Sequence, residues 1–255
     1  LSFSDQWPLR LTQYRVADNP EGPWRKLDNY VVDGSGFYAG KLVLKNDRLF
    51  VFGWIPTKAG NRDSGNIDWA GNLVAHELTA DAQGQLNSIL PQELQKVISE
   101  NPGPETTLTS TKTLKTDTSF GPLQSALYPA LPERGELSAT IDVPSAGMVM
   151  SFGLTDDRVS DAMLNVVFNK SKGKVYFFNA PLASIHQANA ESWVDIPIGE
   201  KIELRVLMQN SIAVFYINNK VAFSTRMYSM QEKPWSISLP QNDHFHATLK
   251  IKEMI

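Results

Sequence analysis

Apolar positions along this chain recur mostly with period two, the spacing of a half-buried strand. The clearest case is Ser211–Thr225. Ala213, Phe215 and Ile217 alternate with Val214 and Tyr216, so one face is expected to be buried and the other partly so. Asn218-Asn219 then supplies a two-residue turn, because Asn tolerates φ > 0. The stretch GSGFYAGKLVLKNDRLFVFGWIP, residues 34–56, reads the same way. Its apolar runs Leu42–Leu44 and Leu49–Phe52 flank the turn formers Lys45-Asn46-Asp47-Arg48. Further strands are expected at Thr12–Ala17, Leu73–Leu78, Leu137–Val143, Gly147–Leu154, Leu164–Phe168, Val175–Phe178, Ile202–Met208, Trp235–Leu239 and Ala247–Ile251. Many short strands separated by polar turns indicate an all-β protein.

One segment has helical spacing. In PQELQKVISE, Pro91 to Glu100, Leu94, Val97 and Ile98 recur at i, i+3 and i+4. Pro91 suits a first turn, and Asn101-Pro102-Gly103-Pro104 stops the helix. Residues 160–168, SDAMLNVVF, fit either a helix or a strand after a polar loop. Composition changes near residue 100. Asn101–Gly121 is rich in Thr, Ser, Pro and Gly, which reads as a linker or meandering connection. The chain therefore divides into 1–100 and 101–255. The loosely spaced antiparallel strands of the first part are compatible with propeller blades.

The totals remove several function classes. With 255 residues the chain is long enough for a large core. Net charge is −3 with signs mixed, so no basic stripe suggests nucleic acid. There is no cysteine, which excludes disulfides and thiol catalysis, and four histidines argue against zinc; no cofactor is expected. No apolar run approaches the ~20 residues that span a bilayer. No signal peptide is visible, but the first residue is Leu1, so the natural start is expected upstream. Six Trp offer flat apolar faces that suit either a sugar ring or a core.

Several motifs fall in a telling order between Asp33 and Leu86: DGSGFYAGK, an arginine before a strand, FGW, DWAGNL, then an apolar turn with Gly84. The set resembles the last part of the catalytic β-propeller of glycoside hydrolase family 32, the invertase, levanase and inulinase group. SIAVFYINNKVAFSTRMY, Ser211 to Tyr228, and FGLTDDR, Phe152 to Arg158, resemble that family's C-terminal β-sandwich. The resemblance implies the last blade or so of a five-bladed β-propeller, followed by a concanavalin-like two-sheet β-sandwich. It further implies a secreted, periplasmic or cell-surface protein acting on a fructan-like oligo- or polysaccharide.

The departures define what this chain lacks. The family's three catalytic acids sit in Asn-Asp-Pro, Arg-Asp-Pro and Glu-Cys segments. Here Asp18-Asn19-Pro20 is a turn, Arg62-Asp63-Ser64 has no Pro, and Glu-Cys is impossible. Retaining glycoside hydrolysis needs two carboxyl groups about 5–5.5 Å apart, and no such pair is recognisable among acids that sit mostly in turns. No catalytic residue and no metal site is therefore assigned, and the missing propeller part is expected from upstream sequence or another chain.

Three residues are candidates for substrate binding. Asp33 stands where the family places an acid that binds sugar hydroxyls; it is equally an Asx-turn residue before Gly34. Tyr38 points its hydroxyl into a polar cavity or belongs to a core face. Trp54 walls a sugar pocket or packs. Gly40 and Gly53 on either side of the hairpin permit close approach of backbone or ligand. Trp69 reads as a packing residue, and Lys41 carries little functional weight. His76 neighbours Glu77 on a strand, and His244 and His246 share a strand face without a third ligand. A rival reading is a non-catalytic module holding a glycan on Trp193, Tyr176 or Trp235, or a sandwich that only buttresses the propeller.

Overall fold

The computed structural model describes residues 2–5, 10–101, 103–118, 121–144, 146–182, 190–193, 201–241, 243 and 246–254, with backbone only at 2–5 and 190–193. The chain is almost entirely antiparallel β. A short pair, β1 (Ser2–Asp5) and β2 (Leu11–Tyr14), precedes a four-stranded sheet. That sheet runs β3 (Tyr38–Lys45), β4 (Arg48–Lys58), β5 (Ile67–Ala80) and β6 (Leu86–Ile89), in sequence order. Asn46 and Asp47 take φ of 52° and 59°, as the expected hairpin turn requires. Helix α1 (Gln92–Glu100) follows, with Pro91 at its N-cap. Arg48 ties it to the sheet, donating from Nε to Glu77 at 2.8 Å and from Nη1 to Glu93 at 2.6 Å.

The remaining strands are β7 (Glu105–Thr107), β8 (Lys112–Thr118), β9 (Gly121–Tyr128), β10 (Arg134–Asp142), β11 (Met148–Phe152), β12 (Leu164–Asn169), β13 (Lys174–Phe178), β14 (Ala190–Trp193), β15 (Lys201–Gln209), β16 (Ile212–Ile217), β17 (Val221–Arg226), β18 (Trp235–Pro240) and β19 (Ala247–Glu253). They form a six-stranded sheet, β17-β16-β15-β10-β19-β7, and a seven-stranded sheet, β14-β13-β12-β11-β18-β9-β8. The two inner faces meet in one apolar core that includes Phe152, Phe177, Phe215, Phe223 and Trp235, each under 2% exposed. Alternating strands of this kind hold a dry interior between two sheets.

Two expectations need correction, and one open reading resolves as the expected strand. Residues 101–121 are not only a connection: β7 and β8 lie there and pair with β19 and β9. They are edge strands, and their mostly exposed, polar side chains hide the strand pattern. The ambiguous 160–168 stretch resolves into a 3₁₀ turn at 159–161 followed by β12. Both faces of β16 are buried, because Val214 and Tyr216 on its outer side are covered by Leu90 and Ile98, the latter from α1.

Candidate functional site

The four-stranded sheet has two unlike faces, and pairing register assigns residues to them. Val51 faces His76 across the β4–β5 ladder, and Trp54 faces Leu73. Val51 and Trp54 are three apart on one strand, so they point to opposite sides. One face carries Val51, Gly53, Ile55 and His76; the other carries Phe52, Trp54, Leu73 and, from β3, Tyr38.

The Tyr38–Trp54 side is an aromatic cluster open to solvent. Tyr38 and Trp54 are direct cross-strand partners with ring centroids 6.0 Å apart. Trp69 stacks on Trp54 at 6.1 Å and 26°, and the Tyr38 ring meets its edge at 6.5 Å. Arg10 lies over the Trp69 ring at 4.7 Å and donates to the Asp68 carbonyl. Trp69 is 54% exposed and Leu73 70% exposed, so the expected packing role of Trp69 is incomplete in this chain. The Trp54 indole nitrogen is buried without a hydrogen-bond partner. The flat, partly exposed rings form a surface on which a sugar ring can stack.

Asp33 does not join this cluster, which overturns its expected role as a hydroxyl-binding acid. It is 1% exposed and lies against the other face. Its Oδ2 accepts from His76 Nε2 at 2.7 Å and from Ser224 Oγ at 2.6 Å, and its Oδ1 accepts from the Ser224 amide at 2.6 Å and from the Gly34 amide. Four bonds fill the acceptor capacity of a carboxylate. Gly53 also serves this side: a Cβ there would sit 2.5 Å from the Phe37 ring, so what approaches closely is Phe37 rather than a ligand.

The Asp33 group belongs to the seam between the four-stranded sheet and the sandwich. His76 Nδ1 lies 3.0 Å from Tyr216 Oη. Burial, with the Asp33 charge behind it, pushes the Tyr216 phenol well above its ordinary value. The phenol thus keeps its proton, and the imidazole bridges Tyr216 Oη and the Asp33 carboxylate through its two ring nitrogens. Although Ser, His and Asp meet here, this is no nucleophilic triad. The serine hydroxyl bonds the carboxylate rather than the imidazole, and all three residues are enclosed.

Two more seam contacts escaped the sequence reading. Asp63, 9% exposed, accepts from the Tyr228 amide at 2.7 Å, the Met230 amide at 2.8 Å and Ser229 Oγ at 2.9 Å. Arg226, 5% exposed, donates to the carbonyls of Ile55 and Pro56 and to Asn72 Oδ1. The Thr-Arg-Met-Tyr run quoted from the sandwich contained the signal, because Arg226 and Tyr228 both come from it. Near Asp63, burial lowers the Lys58 amine from 10.5 to about 8, against the pull of the Asp63 charge.

The sandwich's own aromatics are less available. Trp235 is 1% exposed, stacked between Tyr128 at 4.5 Å and Phe152 at 5.5 Å, so it holds no glycan. Tyr176 is half-buried and stacks on Phe178 at 6.2 Å. The Trp193 side chain and His244 lie outside the described residues, and His246 is exposed. Among the described residues no cluster of three or more His, Asp or Glu is placed to hold a metal ion. No described helix is long and apolar enough to cross a membrane.

A four-stranded antiparallel sheet thus meets a two-sheet sandwich, and an aromatic surface lies on the sheet's free side. The family model described as GH32, BT1760-like, C-terminal domain matches residues 88–245, and the chain belongs to that family. Solved structures share the fold over nearly the whole chain. Sucrose-6-phosphate hydrolase from Lactobacillus gasseri superposes with a TM-score of 0.63 at 16% identity, covering 96% of this chain and 48% of that one. Exo-inulinase from Aspergillus awamori gives 0.62 at 12% identity, covering 96% and 50%. Fructan 1-exohydrolase IIa from Cichorium intybus gives 0.60 at 16%, covering 96% and 55%. The chain thus spans about half the length of the solved structures it matches. A search of curated protein sequences gives no match.

Proposed function

We propose that this chain is the C-terminal half of a secreted or cell-surface glycoside hydrolase acting on fructan-like oligo- or polysaccharides. Residues 1–100 form the last part of its five-bladed propeller and residues 101–255 its sandwich. Tyr38 and Trp54, with Trp69 beside them, wall the sugar site from the propeller side, while the catalytic acids come from sequence outside the chain. Asp33 has no part in sugar binding, since its carboxylate is consumed in the seam. The observation that carries this reading is the stacked, partly exposed Tyr38–Trp54–Trp69 cluster. Such a face is costly to leave open to water, and an incoming sheet and a sugar together would cover it. Family membership and the half-length match support the same division.

The test is release of sugar from sucrose, levan and inulin. The purified chain is expected to release none, because losing even one member of a catalytic acid set removes most of the rate. In the longer protein from the natural gene, Trp54→Ala is expected to lower kcat/KM by about 10–100-fold, the range for one lost stacking contact. Sustained turnover by the isolated chain, free of contaminating enzyme, contradicts the proposal.

A further inference from the structure

The aromatic cluster depends on an irregularity in the sheet. The β4–β5 register shifts between Pro56 and Lys58. Within this bulge Ala70 of β5 has φ of 65°, and beside it a Cβ on Gly71 would lie 2.1 Å from the Ile55 carbonyl oxygen, so the two strands touch backbone to backbone. Thr57 Oγ1 donates to the Trp69 carbonyl at 2.8 Å and pins the far side of the bulge. The shift sets Asp68, Trp69 and Ala70 of β5 against the single residue Thr57 of β4. It adds two residues, so Trp69 stays on the face of Leu73 and Trp54 but is brought level with Thr57 rather than Lys58, closer to Trp54.

The bulge is held from outside its own sheet. Arg226 reaches across the seam and donates from Nη2 to Ile55 O at 2.8 Å and from Nε to Pro56 O at 3.1 Å. Both carbonyls belong to the last regular rungs of β4 before the irregularity, where Ile55 and Pro56 pair with Asn72 and Gly71, so the guanidinium fixes the edge from which the bulge of β5 springs. A further bond from Nη2 to Asn72 Oδ1, 2.7 Å, fixes the facing strand, and Nη1 donates to Ser211 Oγ at 2.9 Å within the sandwich. All four acceptors are neutral oxygens. The planar fork matters here, since the point charge of a lysine cannot span two carbonyls and an amide at once.

We infer that Arg226 is a positioning residue: the sandwich uses it to hold the Ile55–Asn72 and Pro56–Gly71 rungs that border the β5 bulge, and thereby to stack Trp54 on Trp69. The functional weight of this inference rests on the reading of that stack as a sugar wall, but its test is made without sugar and fails or succeeds separately. Two stacked indoles give an exciton couplet in circular dichroism. In the full chain the couplet is assigned by its loss in Trp54→Phe and in Trp69→Phe. Arg226→Lys is expected to fold and to lose most of the couplet. Ser224→Ala weakens the same seam without touching the bulge; it is expected to lower the melting temperature and keep the couplet. Should Arg226→Lys not fold, Asn72→Ala, at an exposed position, removes one acceptor and is expected to reduce the couplet in part. An undiminished couplet in Arg226→Lys, or in Asn72→Ala if Arg226→Lys does not fold, overturns the inference. So does a couplet lost equally in Ser224→Ala, or one absent from the unsubstituted chain.

Discussion

The sandwich and the four-stranded sheet bury their surfaces in different ways. Between its two sheets the sandwich is filled with Phe, Ile, Leu, Val and Met, and its largest residues are fully enclosed. The four-stranded sheet has a small core of its own, around Val51, Ile55, Phe37 and Tyr14. Its attachment to the sandwich combines a small apolar cluster, where Val74 and Leu90 pack with Val214 and Tyr216, with the polar contacts of Asp33, Asp63 and Arg226, and its other side leaves Val43, Trp69 and Leu73 in water. Apolar packing is non-directional and yields stability, whereas a buried hydrogen-bonded ion yields geometry and is costly to break. The sandwich has a large dry core of its own, and the four-stranded sheet meets it with one face left open.

Substitutions can break or sharpen this contrast. Phe215→Ala in the sandwich core should cost about 3–5 kcal/mol in denaturant unfolding, the range for a fully buried aromatic. Asp33→Ala should cost somewhat less, about 2–4 kcal/mol, by leaving the Ser224 amide, the Ser224 hydroxyl and His76 without their acceptor. It should also separate the unfolding of the sheet from that of the sandwich, visible as two calorimetric transitions where Phe215→Ala gives none of that splitting.

Lys58→Met tests the seam through pH. The folded amine titrates at about 8 against 10.5 when free, so between those values the unfolded chain binds more protons and stability rises with pH. Below about 8 the buried charge costs its full amount, and Lys58→Met should be more stable than the unsubstituted protein by about 1–2 kcal/mol. That advantage should shrink as pH rises from 8 to 10.5, measured as a converging pair of Tm curves. The smallest effect is expected on the open face. Leu73→Lys should change stability by less than about 0.5 kcal/mol, as for other surface substitutions, while lowering the tendency of the chain to self-associate in sedimentation.

What the sequence revealed follows from how local each signal is. The Asn46-Asp47 and Asn218-Asn219 turns, the helix after Pro91 and the strand alternation are set by neighbouring residues, and all appear where expected. The two-residue turn fixes the register of Lys45 against Arg48, but that register alone would set Trp54 opposite Ala39; the irregularity between Tyr38 and Lys41, with Ala39 at φ of 56°, brings Tyr38 there instead, and no local pattern announces it. Strands β7 and β8 were hidden because edge strands need no apolar pattern. Asp33 was misjudged for a different reason: its partner Ser224 is 191 residues away, and an Asp before Gly looks alike whether it binds a sugar, closes a turn or spans a seam. Trp69 was read as packing, and its exposure depends on what covers the sheet, which no local pattern encodes.

Expressing residues 105–255 and 1–100 separately and following amide exchange tests the contrast at its root. The sandwich piece should be monomeric with strongly protected amides in β10, β11, β15 and β16. The 1–100 piece should exchange throughout, because it loses the seam while its other face remains in water. A monomeric 1–100 piece with well-protected amides in β4 and β5 would contradict the dependence of the sheet on its neighbours, and with it the division of the protein proposed here.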